Sequence, residues 1–228
     1  MVTHILFDLD DTLLDFDLAE RLAVGKTLEG LGVEPLPERL SRYSALNLAQ
    51  WKLLEQGAIS RQEVKLRRFQ LLFEELGAAV SPAEAARRYE LLLGVGHYYI
   101  EGAQALLEAL HGTYRLYLVT NGTATVQERR IESAELARFF EEIFISERVG
   151  FDKPDRRFFE HCFARMAGFD KNAAVIVGDS LSSDIRGGRD AGIRTVWFNP
   201  KGTAPGVDVV PDHEIRRLPE LPKLLRTL

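Results

Sequence analysis

Five short apolar runs of strand length constrain the fold of this chain more than any other feature of its sequence. The runs lie at His4–Phe7, Leu116–Val119, Ile143–Ile145, Ala174–Val177 and Thr195–Phe198. Helix-like segments such as Phe158–Ala167 and Ser183–Ala191 separate the later runs. Strands buried on both faces of a sheet are continuously apolar, as RLYLV and AAVIV are. The alternation predicts an α/β fold, with a Rossmann-like parallel sheet between two layers of helices.

The interval between the first and second runs has a different pattern, with helical periodicity and no segment typical of a strand. We expect four helices there, of which two begin after capping residues at Ser60 and Ser81. One helix normally suffices to cross over between parallel strands. We therefore expect two domains: an α/β core at residues 1–16 and 95–228, and an all-helical cap at residues 17–94, inserted after the first strand.

The composition is that of an ordinary globular protein and excludes several classes of function. The 228 residues are 46% apolar and 28% charged, which is enough to build a core without disulfides. The single cysteine, Cys162, fits a reducing compartment, and a net charge of −5 gives no basic surface for a nucleic-acid polymer. The first apolar run is interrupted by Asp8, unlike a signal peptide, and no run approaches a membrane span. We expect a cytoplasmic protein with no membrane partner.

Polar residues whose side chains could bind a ligand or take part in catalysis follow four of the predicted strands. In an open α/β sheet, ligands bind beyond the carboxyl ends of the strands, so these residues should converge at one edge. The first run is followed by Asp8, Asp10, Asp11 and Thr12, the second by Thr120, Asn121 and Gly122, the third by a loop leading to Lys153-Pro154, and the fourth by Gly178, Asp179 and Ser180 with Asp184 nearby. Each group alone is typical of a turn, a cap or a solvated surface. Their joint occurrence indicates a site.

The chemistry that suits such a set is phosphoryl transfer. The Asp8 carboxylate could attack phosphorus, and Asp10, two residues further on the same side of an extended segment, could act as general acid and base. Mg²⁺ prefers hard oxygen ligands, which Asp8 and Asp179 could supply. Lys153 and Thr120 could stabilise the phosphoryl oxygens.

The same positions resemble the haloacid dehalogenase-like hydrolase superfamily at its four motifs. The motifs are Asp8-Leu9-Asp10-Asp11-Thr12, Thr120 in VTNG, Lys153 in GFDKP, and Gly178-Asp179-Ser180 with Asp184. The resemblance implies Asp8 as nucleophile, Asp10 as acid/base and backbone metal ligand, Asp179 as the second metal carboxylate, Asp184 as an outer-shell partner of the metal, and Thr120, Asn121 and Lys153 as phosphate-binding residues.

The predicted cap resembles that of the noncanonical pyrimidine 5′-nucleotidases through Asn47, Trp51, Gly57, Ile59 and Arg68-Phe69. By this resemblance Asn47 could read a base edge, Arg68 a phosphate or carbonyl, and Trp51 or Phe69 could stack on a ring. The helical patterns around Trp51 and Phe69 are also typical of a packed core. Arg68 follows other basic residues, as on a solvated face. Both interpretations stay open.

Together these features predict a Mg²⁺-dependent phosphomonoester hydrolase acting through an aspartyl-phosphate. The resemblance to the pyrimidine 5′-nucleotidases implies nucleoside 5′-monophosphates as substrates, with pyrimidines of the dUMP, dTMP and UMP type preferred. The alternative in the same fold is a phosphatase for a sugar phosphate or other metabolite. A dehalogenase is disfavoured because its leaving group needs no proton and Asp10 would have no use. A phosphomutase would need a cap built to reorient a bisphosphate, of which the sequence shows no sign. A binding module on a degenerate core is disfavoured by the intact motifs.

Overall fold

The computed structural model describes residues 1–204 and 208–228, and a parallel sheet forms its centre. The strands are β1 His4–Phe7, β2 Arg115–Thr120, β3 Glu142–Ile145, β4 Ala174–Gly178, β5 Arg194–Phe198 and β6 His213–Ile215. They lie in the order β3-β2-β1-β4-β5-β6, and every neighbouring pair is parallel. The prediction of a Rossmann-like α/β fold is confirmed.

The five predicted strands are all present, each with ends within one residue of the predicted ones. The sixth, β6, was not predicted, because three residues of sequence HEI carry too little apolar pattern to indicate a strand. The predicted helical segment at Ser183–Ala191 is helical but not uniform. It begins as a π-helical turn at Leu181–Ile185 and continues as an α-helix from Arg186.

Four helices occupy the interval after β1, as the sequence predicts. They are α1 Phe16–Glu29, α2 Pro37–Glu55, α3 Arg61–Leu76 and α4 Pro82–Leu93. The capping box predicted at Ser60 is formed, with the Ser60 hydroxyl accepting from the Glu63 N–H and the Glu63 carboxylate accepting from the Ser60 N–H.

The four helices share a hydrophobic cluster that is separate from those packed on the sheet. At its centre the rings of Tyr43, Phe69 and Tyr89 lie within 4.8 to 5.7 Å of one another and are fully buried. Val126 joins this cluster from outside the four helices. The division of the chain into domains at residues 1–16 and 95–228, and 17–94, stays a prediction.

The remaining α-helices pack on the two faces of the sheet. They are α5 Ala103–Leu110, α6 Ala124–Ser133, α7 Ser146–Val149, α8 Arg156–Arg165, α9 Arg186–Ala191 and α10 Leu221–Leu225. Alternate residues of β1 face opposite sides: Ile5 and Phe7 pack in one cluster with α5, α6 and α10, whereas Leu6 packs in another with α8. The helices and the sheet thus form three layers. Among the described residues, no helix is long and apolar enough to cross a membrane.

Candidate active site

The predicted site forms where the central strand ends. Phe7, the last residue of β1, pairs with Leu118 of β2 and Val177 of β4. The next residue, Asp8, donates its N–H to the Val177 carbonyl at 2.9 Å and is buried. The loops after β2 and β4 therefore leave the sheet on either side of the Asp8 carboxylate. This register explains why residues far apart in sequence meet at one edge.

Lys153 lies beneath Asp8 as a buried cation with three acceptors. Its Nζ donates to Asp8 Oδ1 at 2.6 Å, to Asp184 Oδ1 at 2.7 Å and to the Val119 carbonyl at 2.7 Å. Burial opposes the charged form, but Asp184 and Asp8 outweigh it and raise the pKa of the Lys153 ammonium. Lys153 is thus a fixed positive charge at the floor of the site.

Three carboxylates gather around this single ammonium. One oxygen from each of Asp8, Asp179 and Asp184 lies within 4.8 Å of the others. Burial and the neighbouring Asp184 raise the pKa of Asp8 to about 8, against the lowering effect of Lys153, and burial together with Asp8 raises the pKa of Asp179. When all are ionised, three negative charges face one positive charge. This excess of hard oxygen donors fits a divalent cation, which would offset the charge.

Asp10 lines the same cavity and is held by two residues of α6. Arg130 donates to Asp10 Oδ1, and Gln127 Nε2 donates to Asp10 Oδ2 at 2.7 Å. Gln127 Nε2 also donates to Thr120 Oγ1 at 2.8 Å, so one side chain joins the predicted acid/base to the predicted phosphate ligand. Sequence reasoning missed Gln127 and Arg130, because VQERR has the pattern of a solvated helix face.

Asn121 fixes the loop that carries Lys153. Its Nδ2 donates to the Lys153 carbonyl at 2.8 Å, and its Oδ1 accepts from the Lys153 N–H at 2.9 Å. Both ends of the Asn121 side chain are therefore engaged with the backbone of Lys153. Asn121 lines the cavity. Its predicted contact with phosphate stays a prediction.

Three further residues support the loops around the carboxylates. Thr12 Oγ1 accepts from the Asp179 N–H at 3.1 Å, and the Trp197 indole donates to the Asp179 carbonyl at 2.7 Å. Asp11 Oδ1 accepts from the N–H groups of Phe16 and Asp17, at 2.9 and 3.1 Å. Asp11 therefore stabilises the entry into α1, and the backbone of Asp179 is held from two sides. The role of Trp197 has no local sequence signal.

A cavity of about 240 Å³ is lined by several of these residues and by residues of the four helices α1 to α4, which together are called the helical segment. Of the four residues predicted on the helical segment, Trp51 and Arg68 line this cavity, whereas Asn47 and Phe69 do not. Phe69 is fully buried in the aromatic cluster of Tyr43 and Tyr89. The structure therefore brings together the predicted residues that follow the strands and two of the four residues predicted on the helices.

Asn47 contacts Arg68 from behind the cavity. Asn47 Oδ1 accepts from Arg68 Nη1 at 2.9 Å, and Asn47 Nδ2 donates to Glu20 Oε1 at 2.6 Å. The Arg68 guanidinium lies over the Tyr89 ring, 4.6 Å from its centroid. Arg68 Nε is buried and has no hydrogen-bond partner within residues 1–204 and 208–228. One donor of a side chain that lines the cavity is thus unsatisfied.

Residues 5–198 match the model of the family described as haloacid dehalogenase-like hydrolase. The chain belongs to the haloacid dehalogenase-like hydrolase family. Its resemblance to the pyrimidine 5′-nucleotidase branch is also confirmed. Pyrimidine 5′-nucleotidase PynA of Streptococcus pneumoniae is 39% identical, with 92% of this chain and 90% of PynA covered. Pyrimidine 5′-nucleotidase YjjG of Escherichia coli is 31% identical, with 94% and 96% covered.

The fold of this haloacid dehalogenase-like hydrolase closely matches the crystal structure of the HAD-hydrolase YfnB from Bacillus subtilis. The TM-score is 0.94 at 37% sequence identity, with 98% of each chain covered. YfnB was crystallised bound to magnesium, and its structure reveals interdomain movement. The family and the names of its relatives confirm the prediction of a hydrolytic enzyme of the phosphatase class.

Proposed function

We propose that this haloacid dehalogenase-like hydrolase is a Mg²⁺-dependent phosphatase of nucleoside 5′-monophosphates that prefers pyrimidines. The observation that carries the proposal is the Asp8–Lys153 ion pair, which lines one cavity together with Asp10, Asp179 and Arg68. A nucleophile, a fixed cation and an acid/base group stand at the phosphate end. Arg68 lines the same cavity from α3, and the remainder of a substrate would lie beside it.

Asp8 and Asp10 divide the hydrolysis into two steps. In the first, Asp8 Oδ2 attacks phosphorus, the bond from phosphorus to the ester oxygen breaks, and Asp10 gives its proton to the departing alkoxide. In the second, Asp10 takes a proton from water and the water oxygen attacks phosphorus. The bond between phosphorus and Asp8 Oδ2 breaks, and its electron pair returns to Asp8. Asp8 Oδ2 suits the attack because Oδ1 accepts a short hydrogen bond from Lys153, whereas Oδ2 accepts a longer one, of 3.4 Å, from the Thr12 hydroxyl.

Other groups stabilise the phosphoryl group during both steps. Lys153 supplies positive charge, and Thr120 supplies a hydroxyl held in place by Gln127. Asp8, Asp179 and the backbone carbonyl of Asp10 would hold Mg²⁺, with Asp184 as an outer partner. When bound, the ion would supply charge neutralisation to the phosphate oxygens.

The preference for pyrimidines is supported by the donors that face the cavity from the helical segment. An arginine has only N–H groups, so Arg68 recognises hydrogen-bond acceptors. The uracil and thymine rings present carbonyl oxygens, to which Arg68 Nε could donate. Trp51 also lines the cavity and could stack on the ring. The names of PynA and YjjG agree with this substrate class.

The test is phosphate release from UMP, dUMP, dTMP, AMP and ribose 5-phosphate, each with Mg²⁺ and with chelator. We expect the pyrimidine nucleotides to have the highest kcat/KM and Asp8→Asn to abolish turnover of every ester. Arg68→Met should lower kcat/KM for UMP roughly 10–100-fold and change that for ribose 5-phosphate little, because the sugar phosphate lacks the base carbonyls. Arg67→Met is the matched control on the same helix.

Two results would contradict the proposal in different ways. Faster turnover of ribose 5-phosphate than of any nucleotide would make the enzyme a sugar phosphatase and leave the phosphoryl chemistry intact. Full activity of Asp8→Asn would remove the nucleophile and, with it, the mechanism.

A further inference from the structure

Arg130 is a buried cation that lies outside the family motifs. Its side chain contacts the active site and the chain at both ends of the helical segment. It is fully buried on α6. One of its nitrogens donates to Asp10, and its Nε donates to the Gly96 carbonyl at 2.9 Å. Its guanidinium also lies 5.7 Å from the centroid of the Phe16 ring, at the start of α1. A single side chain therefore touches Asp10 and both stretches of chain that flank the helices.

The second holder of Asp10 is Gln127, one helical turn before Arg130. Gln127 Oε1 accepts from Arg130 Nη1 at 3.0 Å, while Gln127 Nε2 donates to Asp10 Oδ2 at 2.7 Å and to Thr120 Oγ1 at 2.8 Å. Both oxygens of Asp10 are thus held by side chains that are themselves bonded to each other. Arg130 is also fixed by its hydrogen bond to the Gly96 carbonyl. The Asp10 carboxylate is therefore restricted to one side-chain rotamer.

A group that first gives a proton and then takes one has to hold the same place in both protonation states. The guanidinium of Arg130 stays charged throughout, and the amide of Gln127 is neutral throughout. Neither changes when Asp10 changes, so both keep the carboxyl group where the leaving oxygen and the attacking water must meet it.

We propose that Arg130 is a positioning residue, which together with Gln127 orients Asp10 for proton transfer and anchors it to the Gly96 backbone. The inference rests on the proposed function, since it needs Asp10 as the acid. The step affected is the departure of the ester oxygen: the phosphorus–oxygen bond breaks towards oxygen while the Asp10 proton moves to that oxygen. A misplaced Asp10 leaves the ester oxygen to depart without a proton.

The experiment compares two aryl esters of nearly the same shape, phenyl phosphate and p-nitrophenyl phosphate, by kcat/KM in the presence of Mg²⁺. The value of kcat/KM depends on the steps up to and including the first irreversible one, which is the departure of the leaving group. The p-nitrophenolate anion is stable and needs little help from an acid, whereas phenolate is far more basic and needs the proton. Asp10→Asn provides the reference for a missing acid.

We expect Arg130→Met to lower kcat/KM for phenyl phosphate about 30-fold or more, and that for p-nitrophenyl phosphate less than about 3-fold, as Asp10→Asn does. Arg130→Lys, which keeps the charge, should recover part of the loss. Gln127→Met should show the same inequality to a smaller extent, and it tests the inference independently if the buried arginine proves necessary for folding. Arg129→Met, at an exposed position on the same helix, should change neither ester.

The outcomes separate the inference from the function on which it rests. Equal losses on the two esters for Arg130→Met and Gln127→Met, beside unequal losses for Asp10→Asn, would make Arg130 structural and overturn the inference. Equal losses for Asp10→Asn itself would instead overturn Asp10 as the acid, and with it this part of the proposed function.

Discussion

The ammonium of Lys153 lies 2.6 Å from Asp8 Oδ1, and only 1% of the Lys153 side chain and 10% of the Asp8 side chain are exposed. Removing one partner of a buried ion pair leaves the other uncompensated, which costs roughly 3–5 kcal/mol. We expect Lys153→Met to lose at least that order of unfolding free energy in denaturant titrations without Mg²⁺. Turnover should fall by about 100-fold or more, since a fixed charge beside the phosphoryl group is lost.

The exposed Lys223 offers a matched control, because Lys223→Met makes the same chemical change outside the site. If Lys153→Met were as stable as Lys223→Met, the buried pair would contribute no net stability. Retained activity would mean that Lys153 holds the fold and not the phosphate.

Asp179 is expected to link metal binding to stability. A ligand that binds only the folded state stabilises it by roughly 2.7 kcal/mol at a hundred times its Kd, which corresponds to about 5 °C or more in Tm for a chain of this size. Thermal unfolding of the wild type should show this increase on addition of Mg²⁺, and Asp179→Asn should lose most of it. The exposed Asp190→Asn variant should behave as wild type. An undiminished increase in Asp179→Asn would place the ion elsewhere.

Asn47 is expected to act on substrate choice only through Arg68. Asn47→Leu removes the partner of Arg68 Nη1 and should lower the ratio of kcat/KM for UMP to that for ribose 5-phosphate roughly 10-fold. In the Arg68→Met background the same change should have little further effect, which a double-mutant cycle measures. Additive losses would instead indicate that Asn47 contacts the substrate itself.

Phe69 provides the contrasting case in the same helix as Arg68. Because its ring is fully buried against Tyr43 and Tyr89, Phe69→Leu should cost about 1–2 kcal/mol of unfolding free energy. The ratio of kcat/KM for UMP to that for ribose 5-phosphate should stay at the wild-type value. A loss of that ratio without a loss of stability would restore the interpretation of Phe69 as a ring that stacks on substrate.

Glu20 is expected to make the stability depend on pH. Burial raises the pKa of Glu20, against the lowering effect of hydrogen bonds from Ser44 and Asn47. The folded state therefore binds this proton more tightly than the unfolded state, so the contribution is present below the ordinary pKa of glutamate and is lost as pH rises through the raised value. As pH rises above the ordinary pKa of glutamate, the unfolding free energy of the wild type should fall relative to that of Glu20→Gln.

The comparison of Glu20→Gln with wild type isolates this one carboxyl group from all others. Glu29→Gln, at an exposed position at the end of the same helix, is the control for removing a carboxyl group from α1. A difference between wild type and Glu20→Gln that rose with pH would show that the hydrogen bonds outweigh the burial.

The fold followed from the sequence wherever the apolar pattern was long enough. Runs such as Ala174–Val177 predict buried parallel strands because every residue faces a layer of helices. The strand His213–Ile215 is short and polar and lies at the edge of the sheet. Its pairing with β5 therefore depends on the tertiary fold and not on a local sequence pattern. The π-helical turn at Leu181–Ile185 likewise has no signal separate from that of the helix after it.

The site was predictable in part for the same reason. Residues directly after parallel strands meet because the strands are in register, so Asp8, Thr120 and Asp179 converge without knowledge of side-chain packing. Arg130 and Asn47 differ: their partners lie 120 and 27 residues away, at Asp10 and Glu20. Only the packing of α1, α2 and α6 brings these pairs together, and that packing has no short-range sequence signature.

The position of β1 at the centre of the sheet has a consequence for how such an enzyme can be re-engineered. The nucleophile follows a strand that is hydrogen-bonded on both sides, by β2 and by β4, and the helical segment begins only after Asp15. Chimeras that exchange residues 17–94 between relatives should therefore inherit substrate choice from the donor of the helices and turnover chemistry from the donor of the sheet. We therefore expect specificity and reactivity to be separately transplantable parts of one chain.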